Sequence, residues 1–124
     1  MKKILFILLL CLICFPGSSA LCEDNITFTN VAVDIYGYSE QFVQGDRIRV
    51  YDETDILCGQ FDIQKDGQFG LMSVYGDDIL SKDIDEGAKP GDVLSFYLNG
   101  VKISPTNMDT VVWTQNGDRI RVDF

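Results

Sequence analysis

Residues 93–101 read Val-Leu-Ser-Phe-Tyr-Leu-Asn-Gly-Val. Leu94, Phe96 and Leu98 fall on one side of an extended chain, and Val93, Ser95 and Tyr97 on the other. Period two of this kind marks a strand with one buried and one wet face. Asn99-Gly100 then offers two residues that tolerate positive φ, as both central positions of a type I′ hairpin turn require. Nine residues thus spell a strand and a tight reversal.

The same grammar recurs along the chain. Val31, Val33 and Ile35 alternate with Ala32, Asp34 and Tyr36; Ile48 and Val50 alternate with Arg47, Arg49 and Tyr51. Leu57, Phe61 and Ile63 share a side with Gly59, opposite Gln60 and Asp62, and residues 68–75 form a further run. Ile120, Val122 and Phe124 close the chain opposite Arg119, Arg121 and Asp123. Asn116-Gly117 is read as a second type I′ signal and Asp66-Gly67 as a third, weaker one. Gly-Asp-Arg-Ile-Arg-Val occurs at 45–50 and again at 117–122, with unmatched flanks, so one turn-plus-strand solution is reached twice. Short strands with turns at such spacing predict an all-β protein, an antiparallel β-sandwich of about seven strands, immunoglobulin-like in outline. A small up-and-down β-barrel is the alternative.

Before this body stands an export signal. Lys2 and Lys3 form a basic start, residues 4–15 an apolar run, and Pro16 to Ala20 a turn with small residues at the cleavage positions. The apolar run is short of the roughly 20 residues that span a bilayer. The expected division is therefore a signal peptide at 1–20 and one domain at 21–124, secreted or at the cell surface. Loss of Lys2 and Lys3 takes the bases from 10 to 8 against 19 acids, so the formal charge moves from −9 to −11. Such a body repels phosphate backbones and anionic membrane surfaces, which excludes nucleic acid and membrane as expected partners. Cys11 and Cys14 leave with the signal. Cys22 and Cys58 remain, either as a bridge worth roughly 4 kcal/mol in the chain-entropy model or as a buried thiol and an idle tail cysteine. Leu21, just before Cys22, argues against lipidation of that cysteine.

The chain has no histidine, which removes the commonest general base and the usual nucleophile triads. No enzyme is expected, since no nucleophile–base constellation can be named. One segment breaks the strand rhythm. Residues 76–92 read as a long acidic loop, and Asp77, Asp78, Asp83, Asp85, Glu86 and Asp92 could together supply oxygens to calcium. The competing reading is a solvated charge run, and the familiar twelve-residue calcium loop is not present. A second candidate is a sheet face on which Arg47, Arg49, Tyr51 and Tyr97 meet a ligand, the tyrosines stacking on a sugar ring or a protein partner. Here the competing reading is cross-strand pairing that stiffens the sheet. Trp113, among Val111, Val112 and Thr114, reads as a core or edge aromatic.

Four stretches carry a family likeness: Asp55-Ile-Leu-Cys-Gly-Gln-Phe61, residues 66–78, Asp85-Glu-Gly-Ala-Lys-Pro-Gly-Asp92, and Leu98-Asn-Gly-Val101. Over most of residues 44–124 the chain resembles the carboxypeptidase-regulatory-like and transthyretin-like β-sandwich modules of bacterial and archaeal secreted or surface proteins. The resemblance implies a sandwich without a catalytic role, and a cysteine at the place of Cys58 that commonly has no partner. Residues 29–44 match the pattern less well, and such modules normally sit inside longer chains, whereas here the pattern follows the signal peptide and runs to residue 124, so a free-standing secreted unit is expected.

The expected function is a secreted or surface-associated, non-catalytic module with a binding or structural role, with calcium as its possible ion. The alternative is a small exported inhibitor or adhesin that shows the acidic loop or the tyrosine-bearing face to a protein or glycan of the cell surface.

Overall fold

Alternation along the described chain resolves into eight strands, one more than the sequence pattern suggests. In this computed structural model, which describes residues 25–78, 80 and 86–124, they are β1 (Ala32–Tyr38), β2 (Arg47–Tyr51), β3 (Leu57–Asp62), β4 (Gln68–Tyr75), β5 (Val93–Leu98), β6 (Val101–Ile103), β7 (Val111–Val112) and β8 (Arg119–Arg121). The expected signal peptide lies outside the described residues. No helix occurs among those described, and none there is long and apolar enough to cross a membrane.

The strands form two sheets. One has three strands in the order β4-β1-β8; the other has five, β3-β2-β5-β6 with β7 also on β5. Every pairing is antiparallel except β1 with β8, which is parallel. The arrangement agrees with a sandwich, because each sheet turns one row of apolar side chains inward. Val33, Ile35, Phe69, Met72, Val74 and Val122 come from the smaller sheet's side, and Ile48, Val50, Leu94 and Phe96 from the larger. Aromatics join the sheets at two places. Phe124 packs on Phe96 at 5.2 Å, Phe42 at 5.9 Å and Phe69 at 6.0 Å between ring centroids. Trp113, which is buried, donates from Nε1 to the Val74 carbonyl across the core at 2.9 Å.

The turn chemistry departs from the expected reading at two places. Asn99 (φ 49°) and Gly100 (φ 87°) do make the hairpin between β5 and β6, with Leu98 opposite Val101. Asn116-Gly117 does not make a type I′ turn. Only Gly117 has positive φ, and the Asp118 amide donates to the Gln115 carbonyl, the pattern of a type II turn. The Asn116 carboxamide instead accepts the Ala32 amide, tying this turn to the start of β1. The first copy of the hexapeptide does the same: Gly45 has φ 98°, and the Asp46 amide donates to the Val43 carbonyl. The repeat is thus one local solution used in two sheets. Asp66-Gly67 turns the chain from β3 to β4, which belong to different sheets; pairing across it is limited to the single antiparallel bridge of Lys65 with Gln68.

A bulge shapes the outside of the smaller sheet. Ile35 pairs with Met72 but Gly37 with Phe69, so β4 carries one extra residue at Gly70-Leu71. The phase of β4 changes there, and Leu71 points to solvent, 51% exposed.

Candidate functional site

Because Ile48 and Val50 face the core, Arg47, Arg49 and Tyr51 must face outward from β2. Register then decides their neighbours. Arg49 stands between Gln60 of β3 and Tyr97 of β5, and Tyr97 is in turn opposite Lys102 of β6. Arg47 stands opposite Asp62, and Tyr51 between Leu57 and Ser95. The four residues expected to bind a ligand therefore share one outer face. Tyr51 and Tyr97 meet edge to face at 5.4 Å.

Polar contacts hold this face in place. The Arg47 guanidinium donates to both oxygens of Asp62, from Nε at 2.7 Å and from Nη2 at 3.4 Å. Arg49 donates from Nε to Gln60 Oε1 at 3.0 Å. The hydrogen bond from Arg47 holds the Asp62 carboxyl below its ordinary range. Asp46, at the turn before β2, is lowered mainly by the Asn99 carboxamide and then by the Val43 amide. Both groups stay charged at neutral pH and act as fixed acceptors. Beside this face a cleft of about 680 Å³ holds Arg47, Arg49 and Asp62 together with the amides of Gln44, Gln64 and Asn99.

The acidic loop is built differently. Its ends are zipped: the Asp77 amide donates to the Ala88 carbonyl, and the Ala88 amide to the Tyr75 carbonyl. Asp77 accepts the Glu86 amide at 3.1 Å and lies 3.8 Å from Lys89 Nζ. Asp78 accepts the Leu80 amide, and Asp92 accepts the Lys89 amide. These carboxylates satisfy their own loop's backbone. Glu86 Oε1 is buried with no hydrogen-bond partner among the described residues. Asp83 and Asp85 lie outside those residues, and among the described ones no group of three histidine, cysteine or acidic side chains is arranged to hold a metal ion.

Cys58 is buried on β3, its thiol 3.2 Å from the Ile56 carbonyl. Its suggested partner Cys22 lies outside the described residues. Asp52, 2% exposed, closes the turn from β2 to β3: its Oδ1 accepts the amides of Thr54 and Ile56 and the Thr54 hydroxyl.

A second outer face was not singled out from the sequence. On the smaller sheet Tyr36 and Tyr38 project from the central strand β1, 37% and 47% exposed. Arg121 is opposite Tyr36 and Arg119 opposite Asp34, both on β8. With Gly70 and Leu71 of the bulge, these tyrosines and arginines line a cleft of about 590 Å³. The alternation of Arg119 and Arg121 against Val122 carried the signal; their neighbours could not be read, because β8 joins β1 from the far end of the chain.

Comparison with known protein families, with curated proteins and with solved structures gives no match for this chain.

Proposed function

We propose that this chain is an exported, non-catalytic β-sandwich module that binds a cell-surface glycan or protein through the outer face of its five-stranded sheet. One observation carries the reading. Arg47, Arg49, Tyr51 and Tyr97, from two strands far apart in the chain, are gathered on one exposed surface beside an amide-lined cleft. Rigid aromatics with arginine are the side chains that dominate binding surfaces, because they offer large contact area at low entropic cost. Export is supported by the basic start, apolar run and small-residue site of residues 1–20. Kinship with carboxypeptidase-regulatory-like or transthyretin-like modules is supported by the quoted stretches within residues 44–124 and agrees with two facing sheets.

The test is retention on intact cells. Labelled protein carrying Arg49→Gln with Tyr97→Ala is expected to bind roughly 30-fold more weakly, a loss of about 2 kcal/mol, with its melting temperature little changed. Equal retention of the variant and the parent protein would refute this face as the binding surface.

A further inference from the structure

The two copies of Gly-Asp-Arg-Ile-Arg-Val lie in different sheets, and each puts its arginine pair on an outer face. In the first copy Arg49 stands opposite Tyr97; in the second Arg121 stands opposite Tyr36. Each pair lines a cleft, of about 680 Å³ for Arg47 and Arg49 and about 590 Å³ for Arg119 and Arg121. From this matched pair of surfaces we infer that the protein is bivalent, each face of the sandwich taking a segment of a carboxylated, uronate-bearing polysaccharide, so that one molecule bridges two chains. The inference rests on the reading above for the first face and extends it to the second.

The chemistry of both faces fits that ligand. Arginines at alternate strand positions lie roughly 7 Å apart, and a guanidinium forks onto a planar carboxylate. One arginine of each pair already meets an aspartate, Arg47 with Asp62 and Arg121 with Asp123 at 3.2 Å. A guanidinium has five N–H donors, so the contact of Arg121 through Nε leaves donors for a ligand. Arg119 has no acid within ion-pair distance among the described residues; Asp34 beside it in register accepts the Ser73 hydroxyl instead. Tyr36 and Tyr38 line the second cleft, and Tyr51 and Tyr97 stand on the sheet face beside the first, offering flat surfaces to the apolar side of a sugar; Gln64 on one face and Gln68 on the other meet hydroxyls. Gly70, on the wall of the second cleft, lets β4 approach β1 closely, because a Cβ there would run into Tyr36 and the Ile35 carbonyl.

The chain's formal charge of −9 repels every polyanion at long range, so the carboxylates have to be met locally by the arginines. Edge geometry disfavours an acidic peptide. An acidic peptide adding itself as a strand would need an open edge beside Arg121. That edge is occupied: Asn107 Nδ2 donates to the Arg121 carbonyl, and the Thr106 amide to the Asp123 carbonyl.

Calorimetric titration with a short oligogalacturonate tests this. Two sugars are expected per protein chain. Arg47→Gln with Arg49→Gln should remove one, Arg119→Gln with Arg121→Gln the other, and each should leave the remaining site's affinity within about twofold, as distant sites behave independently. Far-UV circular dichroism and melting of each double variant confirm that it is folded. A single site abolished by the first double variant and untouched by the second would overturn bivalency while leaving the proposed function standing. Binding of oligoglutamate in place of the sugar would overturn the ligand class. No heat with either probe would overturn the inference and, with equal cell retention, the reading it rests on.

Discussion

Gly37→Ala is expected to cost at least about 4 kcal/mol, at the extreme of single substitutions, and to leave a large unfolded fraction at 37 °C. The reason is steric. Gly37 lies on β1, the central strand of the three-stranded sheet, and a Cβ built there would coincide with the Val122 carbonyl oxygen. That oxygen cannot retreat cheaply. The Val122 amide donates to the Tyr36 carbonyl at 2.8 Å and the Phe124 amide to the Tyr38 carbonyl at 2.9 Å, so the chain is clamped on both sides of the clash. Moving it would drag Val122, fully buried, and Phe124, which anchors the phenylalanine cluster. Not every glycine is so constrained: nothing stands within 4 Å of a Cβ at Gly45. Denaturant unfolding followed by fluorescence of the single tryptophan reads the shift in midpoint. A midpoint equal to that of the parent protein would mean that β8 does not pair with β1 as described.

Trp113→Ala should be nearly as severe, at about 4 kcal/mol. Removing a buried tryptophan costs roughly 3–5 kcal/mol through lost transfer energy and the cavity left behind. The Val74 carbonyl also loses its donor, and water has poor access there because Trp113 is 3% exposed. At about 4–8 °C per kcal/mol for a domain of this size, the melting temperature should drop by roughly 16–32 °C. Trp113→Phe separates the two terms. It refills most of the volume yet leaves the Val74 carbonyl unpaired, so about 1–3 kcal/mol should remain lost. Circular dichroism melting of the three proteins measures both; a phenylalanine variant as stable as the parent would show that the indole hydrogen bond contributes nothing.

How far the sequence could be read follows from what period two encodes. Ile48, Val50, Leu94 and Phe96 declared their inward faces, because alternation states which side of a strand is apolar. Asn99-Gly100 declared its hairpin, because a two-residue turn is a local matter. Asn116-Gly117 carried the same dipeptide and a different turn, since its neighbour in space is Ala32 at the other end of the chain. The parallel pairing of β1 with β8 has no local signature. Nor has the bulge at Gly70-Leu71, which turned Leu71 outward where strict alternation from Phe69 would have kept it in.

The candidate site was legible to the same depth. Arg47, Arg49 and Tyr51 sit on one strand, so their shared direction follows from spacing alone. That Tyr97 joins them depends on the β2–β5 register, which only the packed sheet supplies. Tyr36 and Arg121 are separated by most of the chain, and nothing in either stretch names the other. The acidic loop showed the limit of a charge run: Asp77, Asp78 and Asp92 are spent on backbone amides of their own loop, a fact that composition cannot express.

The most direct measurement is a map of backbone amide shifts, recorded by two-dimensional NMR while oligogalacturonate is added. Shifts clustered on Arg47–Tyr51 and Ser95–Tyr97 and, on the opposite sheet, on Tyr36–Tyr38 and Arg119–Arg121 are the expected result. Shifts gathered in residues 76–92, with both sheet faces unmoved, would contradict recognition by the arginine–tyrosine surfaces.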